Sequence, residues 1–133
     1  MTATAESIEL ARAAAAAASE KLAEDILAFD VSDQLSIADI FLLCSAPNER
    51  QVDAIVDAIE EQLRRFDAKP VHREGERGRR WVLLDYLDLV VHVQHNEDRA
   101  YYALERIWRD CPTIALPESV SSGQGSGPGS STA

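Results

Sequence analysis

Residues 81–93, WVLLDYLDLVVHV, constrain the fold more than any other stretch of the chain. Its β-branched, aliphatic and aromatic residues read as two strands, WVLLDY and DLVVHVQ, joined by a tight turn near Leu87. Most neighbours are of the kind that fill a sheet interior, where an unpaired charge costs several kcal/mol. Asp85, Asp88 and His92 therefore have to be a catalytic group, a metal site or a face turned towards a partner.

The rest of the chain supplies helices and further strands around that hairpin. Residues 4–23 form a helix with a narrow apolar stripe of Ile8, Ala11, Ala15, Ala18 and Leu22, where small side chains admit close approach. DILAFDV and DIFLLCSA, separated by the polar SDQLS, read as adjacent strands. Asn48 is a good N-cap with Gln51 at the third helical position, and Val52, Ile55, Val56, Ile59, Leu63 and Phe66 form one face of the helix that follows. A short strand around 70–72 leads into the basic loop REGERGRR. A last helix over about 98–110 presents Tyr101, Leu104, Glu105 and Trp108 at intervals of three and four. The order α-β-β-α-β-β-β-α predicts an α/β layered domain: a mixed, about five-stranded sheet flanked by helices.

A chain of 133 residues with 46% hydrophobic residues suits one packed domain, here placed at 1–117. The Gly/Ser-rich tail 118–133 cannot bury enough surface to offset its chain entropy and is expected to be disordered. A formal charge of -10 repels nucleic acid at long range and favours basic partners. No apolar run is long enough to span a bilayer, and Glu6, Glu9, Glu20 and Glu24 argue against a signal or transit peptide. Cys44 and Cys111 stand far apart, outside any C-x-x-C pattern, and read as buried free thiols of a cytoplasmic protein.

Each candidate site has a plain structural alternative. Asp85 and Asp88 could hold Mg²⁺ against a triphosphate, as paired carboxylates do in nucleotidyltransferase-type sheets. The matching turn, CSAPNERQ, has Ser45 but no glycine beside it, and a turn between the acids would make them ordinary turn residues. His92 and His95 diverge on a strand and have no third ligand nearby, so structural histidines are favoured over a metal site; His72 is isolated. Gly75 and Gly78 do not have P-loop spacing. Arg73, Arg77, Arg79 and Arg80 form a solvated basic loop, or else touch phosphate or an acidic partner. Trp81, Tyr86, Tyr101, Tyr102 and Trp108 either pack the core or anchor an interface. No nucleophile stands beside a base, so neither catalytic residues nor cofactor are assigned.

DILAFDVS, SIADIFLLCSAPNERQVDAI, WVLLDYLDLVVHVQ and RAYYALERIWRDC, in this order and spacing, resemble the Iojap-related ribosomal silencing factor family, RsfS. The resemblance covers roughly residues 5–112 and rests on Ser36, Asp39, Arg50-Gln51, Trp81, Asp85, Asp88, His92, Arg99, Tyr102, Glu105 and Trp108. It implies an α/β fold like that of nucleotidyltransferases in shape, without transferase activity, and a homodimer in the free state. It further implies binding of the large ribosomal subunit through ribosomal protein L-fourteen, which blocks subunit joining and represses translation under nutrient limitation. An assembly role on the immature large subunit would use the same surface.

By the same resemblance the contact surface is Trp81, Leu84, Asp85, Tyr86 and Asp88. Arg77, Arg79 and Arg80, read from the basic loop and not from the resemblance, are candidates for additional contact, with at most peripheral touching of ribosomal RNA. Many members of that family have glycine where this chain has Leu87. A bulky residue resists positive φ, so the turn is expected to be wider, or else to present Leu87 as an apolar knob.

Overall fold

The computed structural model describes residues 3–35, 37–75, 78, 80–117 and 120. Its elements are α1 (Ala5–Glu20), β1 (Glu24–Asp30), β2 (Ile40–Ala46), α2 (Glu49–Arg64), β3 (His72–Glu74), β4 (Trp81–Asp85), β5 (Leu89–His95), α3 (Asn96–Tyr102) and α4 (Leu104–Ile107). The strands form one mixed sheet of order β1-β2-β5-β4-β3, in which only the central β2–β5 pair is parallel. The expected α/β class and five strands are therefore found. Within 118–133 only Val120 is described, and its side chain is buried; the rest of that expected disordered tail lies outside the described residues.

Side-chain alternation sorts the sheet into two unequal faces. Ile26 and Ala28 of β1, Ile40, Leu42 and Cys44 of β2, Leu89, Val91 and Val93 of β5, and Val82 and Leu84 of β4 point to the layer formed by α1 and α2. Ala11, Ala14, Ala15 and Ala18 are wholly buried there, and the small side chains bring α1 close to α2 and to the sheet. Val52, Ile55, Ile59 and Leu63 of α2 complete this core. The other face carries Leu27, Phe29, Phe41, Leu43 and Val90 and is covered by the short helices and the segment that follows them, through Leu104, Trp108 and Cys111.

Capping explains where the helices begin and how they join. Thr4 accepts from Ser7 N–H at the start of α1, and Asp39 takes the Thr4 N–H and the Ser7 hydroxyl. At α2 the Asn48 side chain accepts from Gln51 N–H at 2.8 Å, as the sequence leads one to expect. The Gln51 side chain does not complete a capping box. Its amide instead donates to the Lys21 and Leu22 carbonyls, tying the start of α2 to the end of α1. Leu22 leaves the predicted stripe: with φ 65 it follows the last turn of α1 and is 74% exposed.

Two further departures shape the surface. The single helix expected over 98–110 is broken at Ala103, which has φ 47, so α3 and α4 are short and set at an angle the stripe pattern does not predict. The β4–β5 turn is not widened by Leu87. Leu87 takes φ 74, Asp88 N–H donates to the Tyr86 carbonyl two residues back, and Tyr86 N–H donates to Leu89. This is the pattern of a three-residue γ-turn of the strained kind, held by Asp85 Oδ1, which accepts from Leu87 N–H at 2.8 Å.

Left-handed backbone costs a non-glycine residue about 1–2 kcal/mol, and glycine returns about 0.5–1 kcal/mol of that through its looser unfolded chain. Leu87→Gly is therefore expected to leave stability unchanged or raise it by up to about 1 kcal/mol. Leu87→Val, stiffer at Cβ, lowers it by at least about 1 kcal/mol. Urea titrations of the two variants measure both effects.

Candidate functional site

β4 carries the expected contact residues, and its pleat divides them. Trp81, Leu83 and Asp85 are half-buried on the face away from α1 and α2, whereas Val82, Leu84 and Tyr86 are buried towards those helices. Leu84 is wholly inaccessible and Tyr86 is 8% exposed. The reading that puts Leu84 and Tyr86 on the contact surface is corrected by this burial: they hold up the turn from beneath. Burial, aided by the nearby Glu60 carboxylate, pushes the Tyr86 phenol up to about 12.

The two aspartates are also separated. Asp85 lies at the end of β4 on the Trp81 face, about 13 Å along the strand from Trp81 at ordinary strand rise. Asp88 lines a recess with residues of α1, on the helix side. Asp85 and Asp88 thus do not converge as a metal pair would. Among the described residues no group of three or more His, Cys, Asp or Glu side chains is placed to hold a metal ion.

What the fold does assemble is a chain of rings. The Trp81 indole N–H donates to His92 Nδ1 at 3.1 Å, and Trp81 packs on Tyr102 with centroids 4.8 Å apart. Tyr102 meets Tyr101 edge to face at 5.0 Å. Behind Trp81, His92 lies 5.1 Å from Phe41, which in turn lies 5.1 Å from Trp108. His92 is buried and Phe41, Trp81 and Trp108 are half-buried, while Tyr101 is 81% and Tyr102 49% exposed. The break at Ala103 ends α3 just after these tyrosines, so they stand at the margin of the covered area beside Trp81 and Leu83.

His92 fixes the orientation of this cluster. Because Nδ1 accepts the indole hydrogen, the neutral ring carries its own proton on Nε2. Burial lowers its pKa from 6.5 to about 4, so the acceptor tautomer persists at neutral pH. Arg99, also buried, is held through Nε by Glu105 across the α3–α4 break at 3.0 Å. That ion pair bridges α3 and α4, and Trp108 just beyond α4 packs on Phe41.

The expected basic contacts fare differently. Arg80 is fully engaged: it meets Asp98 at 2.8 Å, Glu97 at 3.0 Å and Glu49 at 3.4 Å. Three carboxylates around one guanidinium leave the margin of the aromatic patch negative. Arg80 therefore organises acids here instead of reaching a phosphate, and its pKa is raised by the hydrogen bonds to Glu97 and Asp98. Arg77 and Arg79 lie outside the described residues. Cys44 is an inert core thiol, pushed up to about 12 by burial.

Of the expected contact residues, Trp81 and Asp85 share one partly accessible face; Tyr101 and Tyr102, which the sequence leaves between core packing and interface, are exposed beside Trp81.

The pH dependence follows from His92. Its folded pKa lies below its unfolded value, so stability is full above about pH 6.5 and is lost as pH falls through about 4. The loss is of order 3 kcal/mol. His92→Gln, whose amide oxygen can accept from Trp81 without titrating, flattens that slope. Urea midpoints and tryptophan emission measured between pH 7 and 4 read both effects.

Comparison with known proteins is consistent with this architecture. A family profile described as "Ribosomal silencing factor during starvation" matches residues 4–132. A Bacillus subtilis protein named ribosomal silencing factor RsfS is 44% identical over 103 residues, 77% of this chain and 87% of its own. One of the same name from Halalkalibacterium halodurans is 39% identical over 85% of this chain and 97% of its own. A crystal structure of a Chromobacterium violaceum protein superposes with a TM-score of 0.73 at 29% identity, covering 82% of this chain and 92% of that one.

Proposed function

The chain belongs to the ribosomal silencing factor family, and from that premise we propose that it docks on the large ribosomal subunit and keeps the small subunit from joining. The docking site on the ribosome is a basic ribosomal protein, L-fourteen by the family resemblance. On this chain it is the Trp81, Tyr101 and Tyr102 patch, with the acids around Arg80 at one margin and Asp85 at the far end of β4. The action is occlusion: translation falls because a bound wedge overlaps the volume of the other subunit, and no bond is made or broken. In the free state the protein is a homodimer on this reading.

The observation that carries the proposal is Trp81 itself. It is held by His92 and packed on Tyr102, yet half exposed where the helices stop covering the sheet. Rigid aromatic anchors of this kind are typical interface hot spots, because little side-chain freedom remains to be lost. Negative charge beside them speeds encounter with a basic protein and turns the factor away from surrounding RNA. The spread of Asp85 and Asp88 to opposite sides favours binding over metal-assisted transfer by the pair.

Sedimentation of mixed small and large subunits with the protein tests this. The wild type should shift whole ribosomes to free subunits and travel with the large one. Trp81→Glu should weaken large-subunit binding by about thirtyfold or more, the range of a hot spot, with an unchanged circular dichroism spectrum. Asp85→Lys, at the margin, should weaken it up to about tenfold, more at low salt than at high. Full activity in the folded Trp81→Glu variant would remove this surface from consideration.

A further inference from the structure

On the opposite side of the sheet, the start of α1, the end of α2 and the β4–β5 turn meet in a recess that the docking surface above does not use. Glu6, Ser7, Glu9 and Leu10 line it from α1, Phe66 from just beyond α2, and Asp88 from the turn. Its apolar part is Leu10, half-buried, and Phe66, 41% exposed. Leu87, next to Asp88 in the strained turn, adds a second exposed apolar side chain at 59%. Glu6, Glu9 and Asp88 are all exposed, and none forms an ion pair among the described residues. Asp39, close by, is already taken up by Thr4 and Ser7.

We infer that this recess docks a lysine- or arginine-rich polypeptide segment that carries one large apolar side chain. The carboxylates are too spread to hold one metal ion, since no cluster with metal-binding geometry occurs among the described residues. Separate cations along an extended basic chain satisfy them, each meeting its own carboxylate. The apolar floor then takes the side chain between those cations, and the field of three uncompensated acids draws the segment in. Nucleic acid is disfavoured by the same charges. The surface lies across the sheet from Trp81, so it adds a contact and does not restate the first one.

The test is an amide-shift titration of the full-length protein with a short lysine-rich peptide carrying one central leucine, beside the same peptide with serine in its place. Shifts should gather at residues 6–10, 66 and 87–88, saturate, and favour the leucine peptide by about fivefold or more, as expected for burying part of one such side chain. Glu6→Lys with Glu9→Lys should weaken binding at least about tenfold, and Phe66→Ser should abolish the preference for leucine. Asp57→Lys with Glu61→Lys on the outer face of α2, and Trp81→Glu, should leave binding unchanged. Shifts scattered over the acidic surface, equal loss with the α2 control, or no difference between the peptides would overturn the inference. Loss of peptide binding in Trp81→Glu would place the peptide on the other face and overturn it as well. Because the large subunit is absent from this titration, its outcome is separate from that of the sedimentation test.

Discussion

The parallel pairing of β2 with β5 is the constraint on which the rest depends. Ile40 through Ala46 run beside Leu89 through His95 in unbroken register, and both strands are covered on both faces over most of their length. Such a pair cannot be closed by a turn and requires a crossover. The chain makes that crossover with α2, β3 and β4, which places β4 antiparallel on the far side of β5. A strand buried on both faces has no solvent side for its polar residues, so His92 and Gln94 point into packed surroundings. His92 meets that demand in part, by staying neutral and accepting the Trp81 indole hydrogen at Nδ1, while its Nε2 and the Gln94 amide have no hydrogen-bond partner among the described residues. The orientation of the half-buried Trp81 thus follows from the centre of the sheet.

The unequal covering of the two faces does the remainder. The side under α1 and α2 is sealed by two 16-residue helices, while the other side has only α3 and α4 of seven and four residues. Two short helices cannot shield five strands, and β4 at that margin presents Trp81 and Leu83 only half covered. An aromatic ladder continuous from Trp108 through Phe41, His92 and Trp81 to the tyrosines stiffens this margin from within. Exposed rings on a rigid support lose little entropy on docking; the same rings on a mobile loop would lose much more.

Much of this was legible in the amino acids, for identifiable reasons. The period of α2 and its Asn48 cap are local signals, and local physics decided them. The two strands of 81–93 were legible because their composition suits a buried pleat and little else. The break at Ala103 was not, since alanine is the best helix former. The left-handed turn there goes with tertiary demands: Arg99 pairs with Glu105 across it, and Trp108 reaches Phe41. Leu87 misleads in the same way. Its side chain argues against positive φ, but closure of the hairpin between Tyr86 and Leu89, with Asp85 capping the turn, overrides that preference. The division of Asp85 from Asp88, and the burial of Leu84 and Tyr86, depend on the phase of β4 relative to the turn. A spacing of two residues does not fix that phase.

Charge and shape then act at different ranges. A net charge of -10 acts across a Debye length of about 8 Å at physiological salt and sorts targets by sign before any contact forms. It cannot choose among basic targets. That choice falls to surfaces where apolar and acidic groups alternate on a scale of a few ångströms. The fold provides one beside Trp81, where three carboxylates share Arg80. It provides another at the start of α1, where three carboxylates form no ion pair among the described residues. The first group is prepaired and geometrically fixed, so it costs little to order but offers a weaker field. The second keeps its full charge for an incoming cation. On the proposed reading, a protein that has to find one basic site among abundant RNA would use both: the open acids to extend its reach and the locked rings to decide its fit.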